Sequence, residues 1–334
     1  MQANRITLLS KKRKPKSSKV YDTYWKFASE RQNIFFNRIE KPMQHPWTKD
    51  FVLRNFKFTN AYRVSDRVSQ YLISNIIQNG NQNIDEVFFR IILFKLFNKI
   101  ETWEYLQKQV GELFYSDFKF ERYSEALALL KLRGQAIYSN AYIMASGKSS
   151  FNHEYKHDNH LRLIQAMMQD SIARKLQECN SMKQAYEILL KFPTIGSFLA
   201  YQYVTDINYS NITMFSEMEF VKAGPGAKDG IRKCFSDYGD YSEEDIIKLV
   251  CETQENEFER LGLEFKTLWG RRLQLIDCQN LFCEVDKYSR VVHPNVIGHS
   301  KRTRIKQKFQ PSSLIPINYS FPEKWNIKID RVYG

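Results

Sequence analysis

The stretch Leu189-Leu190-Lys191-Phe192-Pro193-Thr194-Ile195-Gly196-Ser197-Phe198-Leu199-Ala200-Tyr201 constrains this 334-residue chain more than any other. An apolar helix end runs into Pro-x-Ile-Gly and a second helix opens at once, the pattern of a helix-hairpin-helix over about 183–207. Such a turn points backbone N–H groups outward, and the following helix adds the positive end of its dipole. Together they suit a DNA phosphate, which assigns Thr194, Gly196 and Ser197 to phosphate contact. A Pro-x-Ile-Gly turn also joins helices in proteins that never meet DNA, so its meaning depends on context.

That context begins about twenty residues on, at Ser216-Glu217-Met218-Glu219 followed by Gly224-Pro225-Gly226-Ala227-Lys228-Asp229-Gly230. Pro near a first helical turn with flanking glycines makes an open helix N-terminus, and Gly224, Gly226 and Lys228 become candidates for a second phosphate. A phosphate clamp followed by a carboxylate resembles the layout of the helix-hairpin-helix DNA glycosylases. In that family an Asp lies about twenty residues past the hairpin glycine. Here Glu217 stands twenty-one residues after Gly196, and Glu219 is its rival because it lies closer to the Gly-Pro-Gly turn. The chain departs from the pattern in two ways: the carboxylate is Glu, and Thr194 replaces the first hairpin glycine.

Charge supports a polyanion partner. The formal net charge is +13. Residues 1–19 contribute Arg5, Lys11, Lys12, Arg13, Lys14, Lys16 and Lys19 with no acid, and residues 298–309 contribute Lys301, Arg302, Arg304, Lys306 and Lys308 with none. These twelve supply nearly all the excess, and Lys and Arg gain affinity by releasing counterions from phosphates. Arg302 and Arg304, well inside the chain, are the stronger phosphate candidates; the first run reads as a solvated tail or, in a eukaryote, a nuclear signal. The five cysteines are scattered, with no Cys-x-x-Cys, and read as reduced thiols rather than a zinc site. No apolar run is long enough to span a membrane. No Gly-x-x-x-x-Gly-Lys-Ser/Thr is present, so no P-loop is expected. The expected compartment is the cytoplasm, with the nucleoid, or the nucleus in a eukaryote. No metal or other cofactor is expected.

Helical spacing recurs along the chain and strand signals are few. Helices are expected over 21–39, 49–55 with Thr48 as cap, up to 77, 84–98, 101–115, 122–133, 138–146, 158–178, 183–192, 197–207, 227–236, 243–261 and 265–288. The 84–98 segment is apolar on nearly every side and belongs in a core. The expected layout is a basic disordered tail over 1–19, a helical domain over 20–292, and a basic, Pro-punctuated tail over 293–334. The fold class is mainly α, with two helical lobes around a cleft.

Polar residues at helix ends supply candidates for a base or sugar pocket. Asn60 and Arg63 lie at a helix entrance, Asn98 closes the apolar helix, and Glu284, Lys287 and Tyr288 share one helical face. Ordinary structural roles compete for each: an ion network for Arg63, an intrahelical pair for Glu284 and Lys287. Tyr62, Trp103 and Tyr201 suit a core better than a stacking platform.

Taken together, several segments resemble one family. They are Tyr24-Trp25-x-Phe27-Ala28-x-Glu30-Arg31, Pro46-Trp47-Thr48, Phe58-Thr59-Asn60-x-Tyr62-Arg63-x-x-Asp66-Arg67, and Phe89-Arg90 through Phe97-Asn98. Ala223-Gly224-Pro225-Gly226-Ala227 with Gly230-Ile231, and Cys283-Glu284-x-Asp286-Lys287-Tyr288, complete the set. Over about residues 20–310 the chain resembles the helical domain of 5-hydroxymethyldeoxyuridine DNA kinases and is similar to the α-glutamyl/putrescinyl-thymine pyrophosphorylases. The resemblance implies a helix-hairpin-helix glycosylase-like fold and duplex DNA carrying hypermodified pyrimidines as partner. Some relatives are antiphage glycosylases, and the kinase members carry a separate P-loop domain.

The expected activity is a monofunctional DNA glycosylase that flips a modified pyrimidine and excises it, with Glu217 or Glu219 stabilising the cationic sugar. Phe198 stands where lyase-competent members place Lys. The alternatives are transfer chemistry at a 5-phosphomethyl-uracil and a non-catalytic reader of modified bases.

Overall fold

The computed structural model describes residues 12–42, 44–141, 143–310 and 318–329. In chain order the elements are β1 (Lys16–Ser17), α1 (Lys19–Glu40), α2 (Phe51–Asn55), α3 (Arg67–Tyr71), α4 (Ile84–Phe97), α5 (Ile100–Val110), α6 (Phe120–Leu132) and α7 (Lys148–Phe151). Then follow α8 (Lys156–Gln169), α9 (Ile172–Gln177), α10 (Met182–Leu190), α11 (Ser197–Ile207), α12 (Pro225–Cys234), β2 (Phe235–Asp237), α13 (Glu243–Glu252), α14 (Gln254–Arg260) and α15 (Leu275–Val292). The mainly helical class holds. Among the described residues, β1 and β2 form one short antiparallel sheet. No described helix is long and apolar enough to cross a membrane.

The chain divides into two compact units, one built from residues 1–65, 218–318 and 327–334, the other from 66–217 and 319–326. The first unit centres on α15. Its buried Phe282 meets Tyr24 of α1 with ring centroids 4.6 Å apart, and Tyr24, Trp25 and Phe282 are wholly buried. The helix α12 lies against α15 through glycines: a Cβ on Gly226 would stand 3.1 Å from Cys283 Sγ, and one on Gly230 would stand 2.0 Å from the Phe282 carbonyl oxygen. A buried ion pair, Lys233 Nζ to Asp286 Oδ1 at 2.9 Å, joins the same two helices. The helix α13 opens with the expected Ser242, which makes a capping box with Asp245.

In the second unit α4 is the core helix. Its residues from Phe88 to Phe97 are buried, and Asn83 caps its start. Of its two buried cations, Arg90 and Lys95, the second meets Asp206 of α11 at 3.2 Å and donates to Asn98 Oδ1 at 2.7 Å. The segment 319–326 is tied to this unit: Ser320 N–H donates to Gln70, and Lys324 Nζ donates to the carbonyls of Ser210 and Thr213.

Several expectations need correction. The helix expected over 138–146 is absent. Ser139 N–H donates instead to the Phe97 carbonyl, and His160 holds the Tyr138 hydroxyl and the Ala145 carbonyl, so tertiary partners replace the helical ladder. The last long helix starts at Leu275, not 265; residues 265–274 are irregular, with Trp269 and Gly270 at positive φ. The 158–178 segment breaks at Ser171, at φ 51°, and the 243–261 segment breaks at Thr253. The disordered tail expected over 1–19 is ordered from Lys12: Arg13 pairs with Asp237 at 2.6 Å and Lys12 with Asp245 at 3.3 Å. Arg5 and Lys11 lie outside the described residues. The C-terminal segment is likewise ordered over 293–310 and 318–329; Pro311 and Pro316 lie outside the described residues.

Candidate nucleic-acid interface and base pocket

The hairpin forms as the residues dictate. Helix α10 ends at Leu190, six residues turn, and α11 starts at Ser197 with Gly196 as its N-cap. Gly196 carries no side chain, and no side-chain capping hydrogen bond is made there. Gly196 and Ser197 are exposed. The Ser197 hydroxyl accepts from the Tyr186 hydroxyl at 2.9 Å. Thr194 adopts φ 69°, the left-handed conformation the missing glycine would take freely. Its methyl group packs where a Cβ on Gly147 would come within 3.1 Å.

The Gly-Pro-Gly helix start reads differently in three dimensions. Gly226 and Gly230 serve close packing of α12 on α15. Lys228 pairs with Glu243 at 2.9 Å, which raises its pKa. Glu244 accepts from the Ala223 N–H at 3.3 Å and pairs with Lys222 at 3.5 Å. Carboxylates therefore already occupy the surroundings of this N-terminus beyond Gly224, and a phosphate would meet their charge. Gly226 thus packs on α15, and Lys228 is paired with Glu243. Asp229 of the same motif is buried and fixes the later chain, accepting from Ser300 N–H at 2.8 Å and from the Ser300 hydroxyl.

That clip starts an ordered ribbon. The Arg304 carbonyl accepts from Arg290 at 3.0 Å. Lys57 N–H donates to the Gln307 carbonyl at 3.0 Å, and Phe309 N–H to the Asn55 carbonyl at 2.9 Å. Between these anchors Lys301, Arg302, Arg304, Lys306 and Lys308 are all exposed. None pairs with a carboxylate among the described residues, unlike Lys12, Arg13 and Lys228. The backbone is held while the cations stay unneutralised, which is the arrangement that favours a polyanion.

A cavity of about 640 Å³ lies in the same unit. Leu53, Tyr288 and Val292 line it. Helix α1 contributes Thr23, Lys26, Phe27, Glu30 and Asn33, one face by helical spacing. The Tyr288 hydroxyl donates to Asp50 Oδ2 at 2.5 Å, while Asp50 Oδ1 caps α2 by accepting from Leu53 N–H at 2.8 Å. Burial and the facing Asp50 raise the Tyr288 pKa, so the phenol stays protonated. The Phe27 and Tyr288 rings lie 5.2 Å apart. His293 accepts or donates at Thr23 Oγ1, 2.8 Å away, and burial lowers its pKa.

The other expected pocket residues divide. Glu284 and Lys287 pair at 2.7 Å beside the cavity; Glu284 accepts from Thr59 N–H and Lys287 lies over the Phe58 ring. Asn60 holds Arg31 and the Ser65 carbonyl. Arg63 is buried, and its backbone N–H donates to Asp277. Burial raises the Asp277 pKa to about 6. Arg63 is corrected from a ligand-binding to an interior residue. Asn98 belongs to the other unit, at φ 49°, where it caps α4 and receives Lys95. Tyr62, Trp103 and Tyr201 are buried. Of the two glutamates, Glu217 is buried at the end of the second unit, and Glu219 is exposed at the start of the first unit's second segment. Sequence reasoning missed Asp50 and Glu30 because nothing local marks them. Among the described residues no three His, Cys, Asp or Glu side chains group as a metal site.

The fold and these surfaces define a helical domain whose residues 18–298 match the family "5-hmdU DNA kinase, helical domain", and the chain belongs to that family. It is 30% identical over 288 residues to the 5-hmdU DNA kinase of Bacillus phage SP10, across 80% of this chain and 45% of that protein. The chain thus spans less than half the length of that relative. No solved structure matches.

Proposed function

We propose that this chain binds duplex DNA and presents 5-hydroxymethyluracil for group transfer at its 5-substituent. The observation that carries this is the ribbon of cations, none paired with a described carboxylate, in the same unit as the Tyr288–Asp50 cavity. Phosphates would lie along Arg302 and Arg304; the Thr194–Ser197 hairpin, in the other unit, is a separate phosphate candidate. A base at the cavity must leave the stack, at a cost of a few kcal/mol. The cavity volume lies within the usual range for small-ligand sites.

Transfer is favoured over the excision expected from sequence because the SP10 relative is named a kinase. Nothing in the placement of Glu217 and Glu219, one buried and one exposed, recommends either as an excision carboxylate. The test incubates the full chain, with and without ATP and Mg²⁺, with DNAs containing thymine, 5-hydroxymethyluracil or modified cytosines. Binding is measured, and nucleosides and abasic sites are quantified by mass spectrometry. Preferential binding of 5-hydroxymethyluracil DNA with intact glycosidic bonds is expected. Free base with matching abasic sites would return the protein to the glycosylase class.

A further inference from the structure

The cavity lining holds one carboxylate that the protein fixes through one oxygen while the other accepts no hydrogen bond from a described residue. Glu30 projects from α1 into the cavity lining, and its Oε1 accepts from the Thr48 hydroxyl. Thr48 Oγ1 in turn accepts from Asp50 N–H at 3.0 Å, which fixes the hydroxyl and with it the Glu30 carboxylate. Glu30 Oε2 accepts no hydrogen bond from any described residue. Across the cavity Asp50 is spoken for on both oxygens, by Tyr288 and by Leu53 N–H. Lys26 and Asn33, on the same face of α1, supply donors.

Resting on the proposed function, we infer that Glu30 is the specificity residue that reads the 5-hydroxymethyl group, its Oε2 accepting the hydroxyl proton. A hydrogen bond to a charged acceptor discriminates strongly against an analogue lacking the donor, because the partner is then left desolvated and unpaired. Thymine, with a methyl group in that place, offers nothing to Glu30. The same charge acts on a product. Phosphorylating the hydroxyl replaces a donor by a dianion, which gives Glu30 no proton to accept and which its charge repels, against the attraction of Lys26 on the same helix face. Phosphates of the backbone are excluded on the same ground and stay on the ribbon.

The experiment measures affinities of the full chain for short duplexes with one thymine, one 5-hydroxymethyluracil or one 5-phosphomethyluracil, at fixed salt. Wild-type protein is expected to prefer 5-hydroxymethyluracil to both others. Glu30→Ala lowers the preference over thymine by about 10-fold or more and removes the rejection of the phosphomethyl base. Glu30→Gln retains an acceptor without charge, so it keeps part of the first preference and loses the second; it also keeps a partner for Thr48, which guards against misfolding. Wild-type ratios in both variants would overturn the role of Glu30 while leaving the DNA-binding function intact. Equal wild-type affinity for all three duplexes would overturn both.

Discussion

A Cβ built on Gly230 would stand 2.0 Å from the carbonyl oxygen of Phe282, so α12 and α15 touch backbone to backbone. One turn earlier the corresponding atom on Gly226 would meet only the Cys283 side chain, at 3.1 Å. Gly230→Ala must push the helices apart and should destabilise by about 3 kcal/mol or more, whereas Gly226→Ala should cost about 1 kcal/mol. Urea unfolding of both variants checks the ranking; equal losses would mean the helices do not pack this way.

Thr194 sits at φ 69° with a β-branched side chain, in the left-handed region that costs about 1–2 kcal/mol for an L-residue. Thr194→Gly should therefore stabilise the second unit by up to about 1 kcal/mol, after the loss of the methyl contact near Gly147 and the greater chain entropy of glycine. A thermal midpoint that falls on this change would show that the Thr194 methyl contact outweighs the strain.

The ribbon predicts a salt signature. Each phosphate neutralised contributes about 0.9 to the slope of log K against log salt. Arg302→Gln with Arg304→Gln should reduce that slope by roughly 2 and weaken binding to all DNA sequences alike. Ser300→Ala removes the hydroxyl bond to Asp229 but keeps the backbone N–H bond, so it should loosen the ribbon and weaken binding modestly while leaving the slope in place, because the cations remain. Unchanged slopes in the double variant would remove the ribbon from the interface.

His160 links stability to pH in the second unit. Its Nε2 faces the Ala145 carbonyl at 2.8 Å and must carry the proton, so Nδ1 accepts from the Tyr138 hydroxyl at 3.0 Å and the ring is neutral. Burial lowers its pKa from 6.5 to about 4. The unfolded chain binds the extra proton between those values, so this contribution is complete above pH 6.5 and is lost as pH falls towards 4. It amounts to about 3 kcal/mol. His160→Gln should flatten the stability profile in that window; an unaltered slope, measured by denaturant titration at a series of pH values, would show that His160 does not carry it.

What could be read without the structure was local. The limits of α11, 197–207, and the buried α4 follow from apolar spacing within a few turns, and the start of α13 from the acids that follow Ser242, which are relations between near neighbours in the chain. The cationic run over 301–308 was also legible, because charge density is a property of composition. The sequence-level reading failed where a distant partner outbids the local ladder. Residues 138–146 carry helix-like spacing, but His160 and Phe97 take their hydrogen bonds.

The two basic runs show the same division. Both looked alike as strings of Lys and Arg, yet Arg13 lies beside Asp237 and Lys12 beside Asp245, while Arg302 and Arg304 meet no described carboxylate. Likewise the glycines of 224–230 were visible, but only the approach of Phe282 and Cys283 makes two of them packing glycines. Glu30, Asp50 and Tyr288 come from three separated segments. Sequence alone determined helical class, core helices, hairpin and the sign of the charge, because spacing and composition set these at short range. Which charges are cancelled, which glycines are crowded and which acids share a cavity depend on contacts between residues distant along the chain, such as Gly230 with Phe282 or Asp50 with Tyr288, and these only tertiary packing decides.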